Sequence, residues 1–288
     1  MTNPIEGGIT KPPKSLGPKI LIEGAPGTGK THSIGTLVDW AERNGKEVFV
    51  LFAENGLPSL LNYWGNQNKP VPECLHYYTC VTRPLTLDQL LKAADNCGKL
   101  SYESLIKISD PDRMKDTSSF YKILQAVANF QDERTGKNYG SFTEWGTDRI
   151  LVIDSLTTLG NAIMKMVTGV KIPSQNDYGQ AQNHLMNFLG LLCDGCVIPV
   201  VLIAHVSRET DEVSGSVKLM TQAIGKAISG QIPRFFPDVI LTVKEGASFF
   251  WDTAAYGVDT KATNLPIASK QKPDFSGIMD KWLSREKN

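Results

Sequence analysis

The sequence predicts an α/β fold, a mostly parallel central sheet flanked by helices and ending in a C-terminal β-hairpin. Short apolar runs at Glu47–Ala53, Arg149–Ser155 and Val197–Ala204 have the near-continuous hydrophobicity of strands buried on both faces. Amphipathic stretches of helical period lie between such runs, as at Ile34, Leu37, Val38 and Ala41. A glycine-rich turn from Gly24 to Lys30 joins the first strand, opening at Ile20, to the first helix.

The chain of 288 residues suits one large α/β domain or two small ones. No second boundary is visible. The expected organisation is a flexible Pro- and Gly-rich arm over 1–18, one domain over 19–275 with an elaboration at 62–148, and a tail over 276–288. Basic and acidic residues both number 30, so bulk charge advertises no nucleic-acid partner and any such contact must be a local patch. The first residues lack the order of a secretory signal, and no run approaches a membrane span. Five cysteines without a disulfide-like framework fit a reducing cytoplasm, the host's if the chain is phage-encoded. Cys193 and Cys196 form C-x-x-C, but no second pair accompanies them, which favours buried thiols over a zinc or redox site.

The turn reads G-A-P-G-T-G-K-T and meets the spacing G-x-x-x-x-G-K-T. Glycines let backbone N–H groups approach phosphate oxygens with no Cβ in the way. The helix start adds positive potential at the same point. Gly24, Ala25, Pro26, Gly27, Thr28, Gly29, Lys30, Thr31 and His32 are therefore the candidate contacts for a nucleotide triphosphate, with Lys30 reaching the β- and γ-phosphates. The Thr31 hydroxyl is a hard oxygen ligand suited to Mg²⁺.

Further elements follow in order. The strand over residues 47–53 ends at Glu54, placed either to polarise an attacking water or simply as a helix-capping or solvated glutamate. A strand is expected at His76–Val81, with helices at Leu85–Cys97 and Ser119–Phe130. The run R-I-L-V-I-D-S drives a strand out to Asp154, which pairs with Thr31 as a candidate partner of Mg²⁺. Residues 157–178 are expected to be a polar loop carrying Lys165 and Lys171. After a helix marked by Ala181, Leu185, Phe188, Leu189 and Leu192, the strand over 197–204 ends at His205, either facing a γ-phosphate or structural. A second polar segment is expected over 207–230, with Arg208, Lys218 and Lys226. Val239–Val243 and Ser248–Ala255, split by Glu245-Gly246, read as the hairpin.

The motifs G-A-P-G-T-G-K-T, F-A-E-N, L-V-I-D-S and L-I-A-H, in that order, resemble the ATPase core of the RecA superfamily over about Lys19 to Phe275. The resemblance implies a RecA-like P-loop NTPase with Glu54 as catalytic glutamate and Asp154 as organiser of Mg²⁺. It also implies a γ-phosphate sensor at the end of the fourth motif, where His205 replaces the usual glutamine. A cation from a neighbouring subunit is expected in this superfamily; Lys261 is the candidate, and a plain surface lysine is the alternative. The DNA-gripping loops of that family correspond in place to 159–178 and 207–224, so Lys165, Lys171, Arg208 and Lys218 become candidate contacts to single-stranded DNA. Tyr178 would stack on a base or pack in the core. The absence of extra modules, and the segment T-G-K-N-Y-G-S-F-T-E-W over 135–145, resemble phage-type, core-only RecA-like or AAA-like ATPases, a group that includes single-strand annealing proteins. The implied function is a DNA-stimulated Mg²⁺-ATP hydrolase, homo-oligomeric, with a single-strand binding protein or helicase as further partner. The alternative is a nucleotide-switched loader acting on a protein partner such as a helicase, without touching DNA.

Overall fold

The computed structural model describes residues 16–80, 86–88, 91, 119–169, 172–210 and 217–286. Its strands are β1 (Lys19–Gly24), β2 (Glu47–Phe52), β3 (Leu75–Thr79), β4 (Arg149–Asp154), β5 (Val200–Thr210), β6 (Val217–Thr221), β7 (Asp238–Glu245), β8 (Ser248–Asp252) and β9 (Lys261–Ala262). The order across the sheet is β3-β2-β4-β5-β1-β7-β8. Every pair from β3 to β7 is parallel, and β8 folds back antiparallel on β7. Off this path, β6 pairs antiparallel with β5 and β9 with β7.

Helices cover both faces because the central strands have no polar face to leave in water. In β2, Val48, Val50 and Phe52 point one way and Phe49 and Leu51 the other, and all are buried. Against the first face lie α1 (Lys30–Arg43) and α2 (Leu57–Gly65). The second face carries α3 (Ser119–Ala128), α4 (Leu156–Thr168) and α5 (Gln175–Cys193). A short α6 (Lys226–Ser229) follows β6, and α7 (Ser276–Glu286) returns to the first face through Ile278, Met279 and Trp282. The α5 start is a capping box, in which Asp177 Oδ2 accepts from Ser174 N (2.8 Å) and the Ser174 hydroxyl accepts from Asp177 N (3.4 Å).

Several expectations need correction. Residues 157–178 are not a loop, since 156–168 form α4 and Gln175 opens α5. Thr157, Thr158, Gly160 and Asn161 are weak helix formers, but Leu156, Leu159, Ala162 and Ile163 bury a stripe that outweighs propensity. The strand expected over 197–204 begins instead at Val200, after Pro199, and runs on to Thr210. The polar segment after it holds β6 and α6, with β6 paired to β5 from Val206↔Thr221 to Thr210↔Val217. The segment read as a tail forms α7. The expected hairpin is present, turning at Gly246 with φ 58°. The strand expected at 76–81 is β3, which begins one residue earlier and ends at Thr79. The helix expected over 85–97 lies almost wholly outside the described residues, as does Lys171.

The segment over 135–145 packs beneath β2. Tyr139 and Trp145 lie 4.8 and 4.3 Å, centroid to centroid, from the Phe49 ring, and the Arg149 guanidinium stands over all three rings. Buried Asp132 holds the start of this segment by accepting from Tyr77 N, Arg134 N and Thr135 Oγ1.

Candidate active site

Parallel register gathers the strand-end motifs along one edge. Phe52 pairs with Asp154, and Asp154 with Ile203. Gly24 lies between His205 on β5 and Thr242 on β7. Glu54, two residues beyond Phe52, therefore stands beside Asp154, and His205 stands beside the glycine loop. This is the C-terminal edge of the parallel strands, where open α/β sheets hold their ligands.

The loop has the backbone that phosphate binding requires. Gly27 and Gly29 take φ values of 74° and 84°, and the space a Cβ would fill at Gly27 is open. Gly29 caps α1, so the first N–H groups of a 14-residue helix face the loop. The Lys30 Nζ donates to the carbonyls of Gly24 (2.9 Å) and Ala25 (2.8 Å), which folds the side chain back across the loop. Burial pushes this ammonium down to about 8, against the pull of Asp154 and Glu54.

Thr31 Oγ1 donates to Asp154 Oδ2 at 2.7 Å. The other carboxylate oxygen, Asp154 Oδ1, is buried with no partner. A hydroxyl and an unsatisfied carboxylate oxygen form a hard donor set that fits Mg²⁺. Burial pushes the Asp154 carboxyl up to about 7, and the Glu54 charge adds to the shift while the Thr31 bond opposes it. Gly56 is required beside this carboxylate, because a Cβ there would stand 2.6 Å from Asp154 Oδ2.

Glu54 is held from three sides. His205 Nε2 lies 3.5 Å from Oε1, while the hydroxyls of Ser155 (2.9 Å) and Thr158 (3.1 Å) donate to Oε2. The His205 bond, then those of Ser155 and Thr158, bring its carboxyl down to about 2 despite burial. Such a group stays ionised. Lys30 Nζ lies 3.4 Å from His205 Nδ1. A neutral imidazole carrying its proton on Nε2 satisfies both contacts, accepting from Lys30 and donating to Glu54.

His32 stands edge-on to Tyr63, with ring centroids 5.2 Å apart. Together with Gly29, Phe249 and Lys272 they line a cleft of about 550 Å³ that opens where the phosphate loop ends. Sequence reading missed Ser155, Thr158, Gly56, Thr242 and Phe249. The hydroxyls of Ser155, Thr157 and Thr158 directly after Asp154 were the signal for the first two.

The other candidates lie elsewhere. Lys261 sits on β9, paired with Val239 near the start of β7, and donates to the Pro233 carbonyl at 2.7 Å. That is the opposite end of the sheet, so Lys261 is not part of its own chain's site. Lys165 is half-buried on α4, and Tyr178 lies exposed in the first turn of α5. Arg208 is exposed on β5, whereas Lys218 on β6 is paired with Asp259 at 3.2 Å. Cys193 and Cys196 are buried; burial raises the Cys193 thiol to about 12, as in an inert structural cysteine. No described helix is long and apolar enough to cross a membrane.

A glycine loop at a helix start, with a Thr–Asp pair and a held glutamate on the neighbouring strands, defines a P-loop ATPase. The chain belongs to the AAA domain family AAA_24, whose model matches residues 16–265. No curated protein matches it at a significant level. Among solved structures, it is similar to the type III secretion ATPase EscN of enteropathogenic E. coli, with 14% identity and a TM-score of 0.43 over 85% of this chain. The match spans 49% of the EscN chain, about half its length. A KaiC-like protein of Pyrococcus horikoshii OT3 has 13% identity and a TM-score of 0.37, covering 88% of this chain and 84% of its own. The RadB recombinase has 12% identity and a TM-score of 0.33, covering 84% of each chain.

Proposed function

We propose that this protein is a RecA-like Mg²⁺-ATP hydrolase that assembles as a homo-oligomer on single-stranded DNA and promotes annealing or strand exchange, within the phage-type group. The observation that carries the proposal is the contact chain from Lys30 through His205 to Glu54. The group that meets the γ-phosphate and the group that orients water share one imidazole, which lies on β5. Beyond His205 the same strand runs on to exposed Arg208. A contact made on that extension has a direct route to Glu54.

When bound, Mg²⁺ would neutralise charge on the β- and γ-phosphates, with Thr31 and Asp154 as its protein partners. Lys30 and the loop amides bind and orient the triphosphate. Glu54, ionised and fixed by Ser155, Thr158 and His205, aligns the attacking water. Phosphoryl transfer asks little more of a protein than this positioning and charge stabilisation.

A second reading is a nucleotide-switched loader acting on a protein partner. It draws on the ion pairs that tie up basic groups near β5 and β6, Lys218 with Asp259 and Lys226 with Glu209, and on the balanced net charge. ATP hydrolysis with and without single-stranded DNA separates the two. The expected result is DNA-stimulated turnover that weakens steeply with salt. Glu54→Gln should lower kcat about a hundredfold or more while nucleotide still binds, and Lys30→Ala should abolish binding. Turnover indifferent to DNA would favour the loader.

A further inference from the structure

The glycine loop is braced from one side by the β7–β8 hairpin. Thr242 on β7 meets Thr28 of the loop with hydroxyl oxygens 2.6 Å apart. Thr28 also reaches the Ala25 carbonyl (2.8 Å) and Thr242 reaches the Glu23 carbonyl (3.2 Å). Two hydroxyl protons serve these three contacts. Donation by both hydroxyls to the carbonyls would leave two oxygens 2.6 Å apart with no proton between them, so either Thr28 donates to Ala25 and Thr242 to Thr28, or Thr28 donates to Thr242 and Thr242 to Glu23. The bond between the hydroxyls is made in both arrangements, and Thr242 is 3% exposed, so water does not substitute for it.

Local sterics are built around this bond. A Cβ at Gly24 would stand 2.2 Å from Thr242 Oγ1 and 2.9 Å from Thr28 Oγ1. In this chain the first glycine of the motif is therefore needed for the hydroxyls to meet. At the other end of the loop, the space a Cβ would take at Gly29 lies 3.0 Å from the Phe249 ring on β8. The hairpin thus contacts the loop at both ends, through Thr242 and through Phe249.

We infer that Thr242 is a positioning residue for ATP, holding Thr28 so that the loop amides are already turned toward the phosphates. The inference rests on the nucleotide-binding reading of the loop and adds a residue of the hairpin to it. Pre-organisation of this kind acts on ground state and transition state alike, so its loss raises KM and leaves kcat nearly unchanged.

The test is equilibrium binding of ATP and of inorganic tripolyphosphate to the full chain, together with steady-state hydrolysis. Thr242→Val removes the hydroxyl and keeps the shape. It should weaken both probes by the same factor, roughly five- to tenfold, and raise KM to match. Thr242→Ser should restore wild-type values. Thr28→Val should give a similar loss, and the double variant should be no worse than either single one. Wild-type binding by Thr242→Val, a loss for ATP without one for tripolyphosphate, or additive losses in the double variant would overturn the inference. A wild-type chain that binds neither probe would overturn the nucleotide reading itself.

Discussion

Glu23 precedes the glycine loop by one residue and is buried inside the sheet at 1% exposure. Thr221 donates to its Oε2 at 2.7 Å, and Oε1 has no partner. Burial pushes the carboxyl up to about 7, with a smaller push from the Asp259 charge, while the Thr221 bond opposes both. Because the folded value lies above the unfolded value of 4.5, the folded state holds this proton more tightly. The contribution to stability is full below the unfolded value and is lost as pH rises through 7, by about 3 kcal/mol at most. Urea midpoints should therefore fall between about pH 5 and pH 8, and Glu23→Gln should flatten that slope and raise the midpoint at the alkaline end. An unchanged slope would mean that Glu23 does not carry the pH dependence. At the same scale, Lys30, Thr31, Glu54 and Asp154 were legible in the sequence because each closes a short apolar run or a glycine motif. Thr242 was hidden, because one hydroxyl within V-I-L-T-V looks like an ordinary β-branched strand residue.

Among the elements, α7 shows how a short, charged segment becomes part of the core. Its apolar residues occupy one face, where Trp282 lies beneath Lys46, with Nζ 5.3 Å from the ring centroid. Trp40 of α1 donates from Nε1 to Asp280 at 2.7 Å, which locks the two helices together. Trp282→Ala should cost about 3–5 kcal/mol, seen as a lower denaturant midpoint with an unchanged slope. A shift well under 1 kcal/mol would mean that α7 does not belong to the cooperative unit. The sequence showed only Ile278, Met279, Trp282 and Leu283 amid charge, too brief a pattern to separate from a solvated end. For β6 the difficulty was different. Among the described residues the strand pairs along its length with β5 alone, with a single bridge from Leu219 to Val258 on the other side, and V-K-L-M-T has no apolar run to announce it.

For the whole molecule, the parallel sheet was legible because its strands are buried on both faces, and composition records that directly. The two polar segments were not, because a helix resting on the sheet and a strand running past it both keep many polar residues. That overrun has a consequence for how the molecule opens. From Val200 to His205, β5 is zipped to β1, and its amides should exchange with solvent only through global unfolding. From Val206 onward the ladder partner among the described residues is β6, so the amides of Ser207 and Glu209, which face it, should exchange through local opening, orders of magnitude faster. Uniform protection along β5 in a hydrogen–deuterium experiment would contradict this division. His205 stands at the seam, its carbonyl accepting from Gln222 just beyond β6 at 2.7 Å. The β5 extension and β6 can therefore open and reseat many times while the C-terminal edge of the parallel sheet stays closed.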